Sequence, residues 1–386
     1  MHGIYPLKGV VKHYDWGGFS FIPSLLQQQN PDQQPFAEYW MGTHALGMGL
    51  VKTAEGEKEL ISLTGMLSFL FKVLDVKDML SIQVHPSKQA AEKEFARENA
   101  EGIPLHSPQR NYRDANHKPE LMVALGDFWL LHGFKPAEEL IDTLLNVTEL
   151  RELLPIFNQR SYAGLYKHIM EMPQAEVNRI LQPLLLNLNS IYQNREPSRY
   201  DEDFWAAKAA NLFAQNGTID RGIFSIYLLN LVHLKNGEGI FQAAGVPHAY
   251  LEGRNVEIMA SSDNVLRGGL TNKHVDVKEL MKHIKCEGVY PEILTAEKST
   301  ASLLQYKVPV SDFVLEKTEL AAGNTINLQA GSSEILLVTE GEAQADGITL
   351  KPGQPSAIAL ADTAYSLKGV AARTVVFRAG RAVYSR

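Results

Sequence analysis

Apolar residues in the first third of the chain come in short bursts broken by Gly, Pro and Asp, as in Phe69-Leu-Phe-Lys-Val-Leu74, Leu80-Ser-Ile-Gln-Val-His85 and Leu121-Met-Val-Ala-Leu125. Runs of this length predict β-strands from Tyr5 to His132. Two stretches interrupt them. Gln27–Pro35, rich in Gln, Asn and Pro, predicts a loop, and Gln89–Ala100, rich in Ala, Glu, Lys and Gln, predicts a helix. Between Pro136 and Gly222 the period lengthens: Val177, Ile180, Leu181, Leu184, Leu185 and Leu188 recur at i, i+3, i+4, i+7, with Pro183 expected to restart or kink the helix. Asn146 with Glu149 resembles a capping box ahead of Leu150, Leu153 and Leu154, and Asp201–Gln215 predicts a further helix. After Gly222, strand-length runs return in Ile223–Leu234, Ile240-Phe-Gln242 and Gly245–Tyr250, and from Pro291 the chain reads as strand and turn throughout.

Resumption of strands after a helical stretch predicts one β-domain split by an insertion: residues 1–135 and 223–290 form it, 136–222 the all-α insertion, and 291–386 a second, smaller β-domain. The length of 386 residues agrees, since single cores stop growing at roughly 250–300 residues. The two β-regions share a weak echo. Leu231–Tyr250 and Leu337–Ile358 both carry Gly-Glu, a strand and a Gly-x-Pro-x-Ala string, and His248 falls opposite Ser356. A chance match of short turn-rich strings explains the echo equally well.

Composition narrows the class. With 45% hydrophobic and 21% charged residues the chain is a well-buried globule rather than a disordered or fibrous one. A net charge of −7 with no long Lys/Arg run leaves no electrostatic footprint for nucleic acid or an anionic membrane. The single cysteine, Cys286, cannot form an intrachain disulfide and excludes multi-Cys zinc sites. Residues 1–15 show no signal-peptide pattern and no segment approaches the ~20 apolar residues of a membrane span, so a cytoplasmic protein is expected.

Candidate chemistry sits on the strands. Gln83 and His85, two apart, leave the same face while Ile82 and Val84 face the other way. Glu120 precedes a buried-looking strand, and His248 opens another. Taken singly, each reads as a satisfied structural polar group. Together, two imidazoles, a carboxylate and an amide oxygen suit a borderline divalent metal such as Zn²⁺ with room for water or substrate. Downstream, Asp263, Arg267 and Lys273 surround Gly268-Gly269. Glycines permit close backbone approach, and Arg plus Lys suit a phosphate dianion, although a glycine turn with a solvated rim has the same composition. No P-loop or GxGxxG is present, so a nucleotide is not indicated. Trp16, Trp40 and Trp129, and with them His44, are read as structural rather than as a sugar-stacking wall.

Several strings together resemble the type I mannose-6-phosphate isomerase (phosphomannose isomerase) family of zinc-dependent cupins. They are Tyr14-Asp-Trp-Gly17, Ala37-Glu-Tyr-Trp-Met-Gly-Thr-His44, Phe69–Leu74, Leu80–Pro86, Asn116-His-Lys-Pro-Glu120, Gly245–Tyr250 and Ser262–Lys273, in order over most of residues 5–290. The resemblance implies a mainly β protein: a cupin jelly-roll β-sandwich catalytic domain with an inserted all-α domain and a C-terminal cupin-like β-domain. It implies Gln83, His85, Glu120 and His248 as ligands of one Zn²⁺ per chain, and Arg267, Lys118, His117, Glu257 and Asp263 as the catalytic group. Ser81 and Lys273 fall at its phosphate-binding positions. Gly268 and Asn272 depart from the family's usual Ala and Pro, which bears on loop rigidity.

The implied reaction interconverts mannose 6-phosphate and fructose 6-phosphate by ring opening and proton transfer through a cis-enediol. Arg267 would oppose the oxyanion and Lys118, helped by His117, would serve ring opening or proton relay. The base is left open among Glu257, Asp263, Lys118 and a metal-bound water. The implied partner is a small sugar phosphate; no nucleic acid, membrane or obligate protein partner is indicated. Two alternatives stand beside this reading, a cupin non-haem metal oxygenase and a non-catalytic sugar-phosphate-binding cupin.

Overall fold

The computed structural model describes residues 3–192, 198–213, 217–353 and 356–382. It contains an antiparallel sheet running Leu229–Leu234, Phe128–Phe134, His248–Ala260, Phe69–Val76, Glu38–His44 and Val10–Lys12. Two shorter pieces lean on the long His248–Ala260 strand. Glu120–Ala124 pairs with its second half, and Gln83–Val84 sits between His248 and Arg267. A second sheet and a four-stranded sheet build the C-terminal β-region. The architecture is the mainly β, cupin-type sandwich with a helical insertion that the sequence predicts.

The domain limits read from the sequence do not coincide with the sheets. Ile4–Lys8 pairs with Ser356–Ala359, placing Leu7 opposite Ser356, and Leu50–Thr53 and Gly56–Glu59 extend the same sheet. Three strands from residues 1–135 therefore complete the C-terminal sheet. Local alternation marks a strand but not its partner, which is chosen by long-range register. The two β-regions also share one apolar core, in which Phe71, Val73, Leu121, Val123 and Ile258 pack with Leu315, Leu337 and Phe377.

The insertion also runs past its expected end. Its helices are Ala137–Asn146, Leu154–Glu171, Gln174–Tyr192, Glu202–Phe213 and Gly222–Leu228, with a 3-10 turn at Thr148–Leu153. Ile223–Leu228, read as strand, lies in the helix Gly222–Leu228; all seven of its residues are buried, and a run buried on every side carries no period to distinguish helix from strand. Asn146 ends a helix rather than capping one, and the residue flanking the 3-10 turn is Val147, without a side-chain cap. Pro183 is accommodated inside one helix whose Val177, Ile180, Leu181, Leu184, Leu185 and Leu188 are all buried, at ~1.5–3 kcal/mol per fully buried aliphatic chain. Of the helix expected over Asp201–Gln215, Ala214 and Gln215 lie outside the described residues.

Helices and site strands share a core. Ile82, Val84, Ala249, Leu251 and Leu266 pack against the insertion, leaving Gln83 and His85 on the opposite face. Gly268 and Gly269 permit this approach. A Cβ at Gly268 would lie 2.7 Å from the Tyr166 hydroxyl, so the family's usual Ala cannot fit here unless Tyr166 moves. Gly269 has φ +120° and lies against the backbone of Gly222. Asp220 then accepts hydrogen bonds from the Leu270 and Thr271 amides at 2.9 and 3.1 Å, fixing the turn that leads to Lys273.

Candidate active site

His85, Glu120 and His248 converge in the sandwich interior, each almost fully buried. Among the described residues, their ligand atoms lie within 4.8 Å of one another. Nδ1 of His85 meets the Asn264 carbonyl at 2.9 Å, and Nδ1 of His248 meets the Val246 carbonyl at 3.0 Å. A carbonyl only accepts, so both Nδ1 atoms carry a proton and each ring turns its Nε2 inward. Each Nε2 lies 3.4 Å from the same oxygen of Glu120. Imidazole lone pairs facing a carboxylate repel unless a cation lies between them, and the buried Nε2 of His85 has no hydrogen-bond partner among the described residues. The donor set therefore fits a divalent metal with two imidazoles and a carboxylate.

Burial keeps His85 and charge keeps Glu120 in ligand form. Burial pushes the His85 imidazole down to about 4, outweighing the pull of Glu120. Burial would raise the Glu120 carboxyl, but the ammonium of Lys118 beside it holds it well below its ordinary range. Lys118 Nζ lies 2.7 Å from the other Glu120 oxygen. Gln83 stands opposite both His248 and Arg267 in register and lines the adjoining cavity.

That cavity has a volume of about 700 Å³. Of the residues predicted from sequence, Ser81, Gln83, Lys118, Asp263, Arg267 and Lys273 line it. Burial, followed by the charge of Arg113, lowers the Arg267 pKa; burial and then Arg267 lower that of Lys273. Both cations are thus short of counter-charge, as an anion site requires. Leu212 and Phe213 of the insertion form part of the wall.

Two predicted residues are placed elsewhere. Glu257 is buried in the interior, accepting from the Tyr250 hydroxyl at 2.7 Å and from Lys72 at 3.2 Å. Burial and Glu120 push its carboxyl up against the opposing pull of Lys72 and Lys118. His117 is absent from the cavity wall, and its Nε2 meets Asp312 at 3.0 Å.

Other site residues escaped sequence reasoning. Lys72 lies between Glu38 and Glu257, at 3.9 and 3.2 Å; burial would lower its pKa, yet these carboxylates and Glu120 raise it. A lone lysine inside Phe69-Leu-Phe-Lys-Val-Leu74 was the available signal, because Lys is almost never fully buried unless paired. Trp16 and Trp40, read as structural, line the cavity, whereas Trp129 packs on Trp205 and His233. His44, also read as structural, has its Nδ1 accepting from the Leu46 amide at 3.2 Å, so its Nε2–H faces Asp263 at 3.3 Å. Although burial raises the Asp263 carboxyl, His44 and the nearby lysines hold it below its usual range.

Comparison with known proteins places this geometry. Residues 4–137 match the family model for the phosphomannose isomerase type I catalytic domain. The chain is 36% identical to mannose-6-phosphate isomerase of Salmonella typhimurium, over 93% of this chain and 95% of that one. It is 34% identical to the Homo sapiens mannose-6-phosphate isomerase, with 88% of each covered. A crystal structure of the Salmonella typhimurium enzyme bound to substrate (fructose 6-phosphate) and zinc superposes with TM-score 0.87 at 33% identity, covering 98% of this chain and 100% of the other. No helix among the described residues is long and apolar enough to cross a membrane.

Proposed function

The chain belongs to the type I phosphomannose isomerase family, and from that premise we propose that its buried trio and cavity form the active site of a mannose-6-phosphate isomerase. The enzyme interconverts mannose 6-phosphate and fructose 6-phosphate, with one Zn²⁺ as cofactor. The observation that carries this reading is the convergence of two imidazole nitrogens and Glu120 beside a cavity lined by Arg267 and Lys273.

Gln83, His85, Glu120 and His248 would hold the zinc, which when bound supplies Lewis-acid stabilisation of charge on the sugar oxygens. Ser81 and Lys273 bind the phosphate, and that remote binding energy positions the reacting carbons. Arg267 opposes the negative charge that develops as the C2 proton leaves. Of Glu257 and Asp263, Asp263 is the one that lines the cavity, and with its carboxyl held low by His44 it is suited to carry that proton between C2 and C1. Glu257 is less suited, being closed in by Tyr250 and Lys72, and serves to keep Lys72 charged beside the site. Lys118, on the cavity wall and in contact with Glu120, is the group for ring opening. The domain roles follow: the split sandwich performs the chemistry and the insertion closes one wall. A cytoplasmic location, with a sugar phosphate as the small-molecule partner, is the setting that the single Cys286 and the acidic net charge support.

The test is a coupled assay for fructose 6-phosphate formed from mannose 6-phosphate, on protein of measured metal content, before and after chelation. Turnover lost on chelation and restored by zinc is the expected result. Arg267→Ala should lower kcat by roughly 10²–10³-fold with zinc retained. No turnover by fully metallated protein would remove the isomerase reading and return weight to an oxygenase or a sugar-phosphate sensor.

A further inference from the structure

His117 and Lys118 are adjacent but face opposite ways. Glu120 and Lys118 point into the site, where Lys118 Nζ meets Glu120 at 2.7 Å. Leu121 and Val123, of the other parity, enter the core shared with Leu315, Leu337 and Phe377 of the C-terminal β-region. His117 continues that second face back past Pro119, and its ring nitrogen lies 3.0 Å from Asp312 Oδ1. Asp312 itself is anchored: its carbonyl accepts from the Ser68 hydroxyl at 2.6 Å, and the next residue, Phe313, is buried in the shared core.

We infer that Asp312 of the C-terminal β-region clamps His117 and thereby positions Lys118 for the reaction, so that His117 is a positioning residue rather than a group acting on the sugar. The inference rests on the isomerase reading and gives the C-terminal β-region a task in it. The clamp acts on the short segment 116–120, which carries both a metal-ligand candidate and the ring-opening lysine. Asn116 adds a second tie by donating to the Ser261 carbonyl at 3.2 Å. The energetic logic is orientational: a 1 Å misplacement of a reacting group can cost ~10²-fold in rate, and loss of one clamp should cost less.

A double-mutant cycle on the zinc-loaded enzyme tests this. Asp312→Ala and His117→Ala should each lower kcat by roughly ten-fold with KM changed far less, and the double variant should be no worse than the poorer single one. Asp312→Asn keeps an acceptor oxygen and should recover activity to within about three-fold of the unmodified enzyme. Multiplying effects, or a His117→Ala loss far exceeding that of Asp312→Ala, would show His117 acting on substrate and overturn the inference. So would unchanged kinetics in Asp312→Ala. Hydrogen exchange over residues 116–118 separates this from the isomerase reading. If the unmodified protein shows no turnover but Asp312→Ala speeds exchange there, the clamp stands and the isomerase reading fails. Unchanged exchange removes the clamp whatever the activity.

Discussion

The two β-regions are built alike yet filled differently. The interior of the C-terminal region holds Leu336, Val338, Ala357, Ala359, Leu367 and Val376, an apolar packing with an ion pair at one end, where the buried Glu334 is closed off by Arg378 at 2.6 Å and by the Tyr365 hydroxyl. The interior of the split sandwich holds His85, Glu120, His248, Lys72 and Glu257, all buried. His248 and Ser356 each open a strand, and where the first supplies an imidazole the second hydrogen-bonds Met41 Sδ at 3.2 Å. One architecture can therefore spend its interior on cohesion or on chemistry. The charged interior is tolerable because each ion faces a counter-ion, whereas an isolated buried charge costs several kcal/mol.

The largest effect should come from making the charged interior neutral. Glu120→Gln keeps the shape but removes the carboxylate that faces both Nε2 atoms and Lys118. Zinc affinity by chelator competition should fall, and turnover should drop by more than the ~10²-fold typical of losing an outer partner of a metal ligand. Unaltered zinc affinity would mean that the trio is not the metal centre. Next in size is a paired substitution, one in each region. Lys72→Met leaves Glu38 and Glu257 without their ammonium and should lose about 3–5 kcal/mol in urea unfolding together with most activity. Leu336→Ala in the apolar interior should lose a similar ~2–5 kcal/mol yet leave kcat intact in the folded fraction. Equal activity losses in the two variants would erase the distinction between the interiors.

Much of the site could be read from residue order because its members sit in short, distinctive strings on strands. Period-2 alternation alone separates Gln83 and His85 from Ile82 and Val84. The departures have a common cause, which is that long-range pairing leaves no local mark. Nothing within Ile4–Lys8 reveals that its partner is Ser356–Ala359, and nothing within Asn116–Glu120 reveals Asp312 behind His117. Gly222–Leu228 was illegible for a different reason, since complete burial erases the period on which helix and strand are told apart. Lys72 was legible in principle, as a charge inside an otherwise apolar strand.

The smallest effect sharpens the comparison through pH. Burial pushes His132 down to about 4, as it does His85 in metal-free protein, against about 6.5 in an unfolded chain. Between those values the unfolded state binds two protons that the folded state refuses, so stability falls as pH falls, by ~1.4 kcal/mol per pH unit for each group. The loss begins near pH 6.5 and ceases to grow from these groups near pH 4. No histidine follows His283 in the sequence, so the C-terminal strands contain no such group. Urea unfolding of metal-free protein at pH 7, 6 and 5 should show the slope, and His132→Leu should remove about half of it. Hydrogen exchange should quicken in Glu120–Ala124 and His248–Ala260 at a higher pH than in Glu334–Glu340. Simultaneous loss of protection in all three strands would mean that the shared core makes both regions unfold as one, and that their different interiors do not divide them energetically.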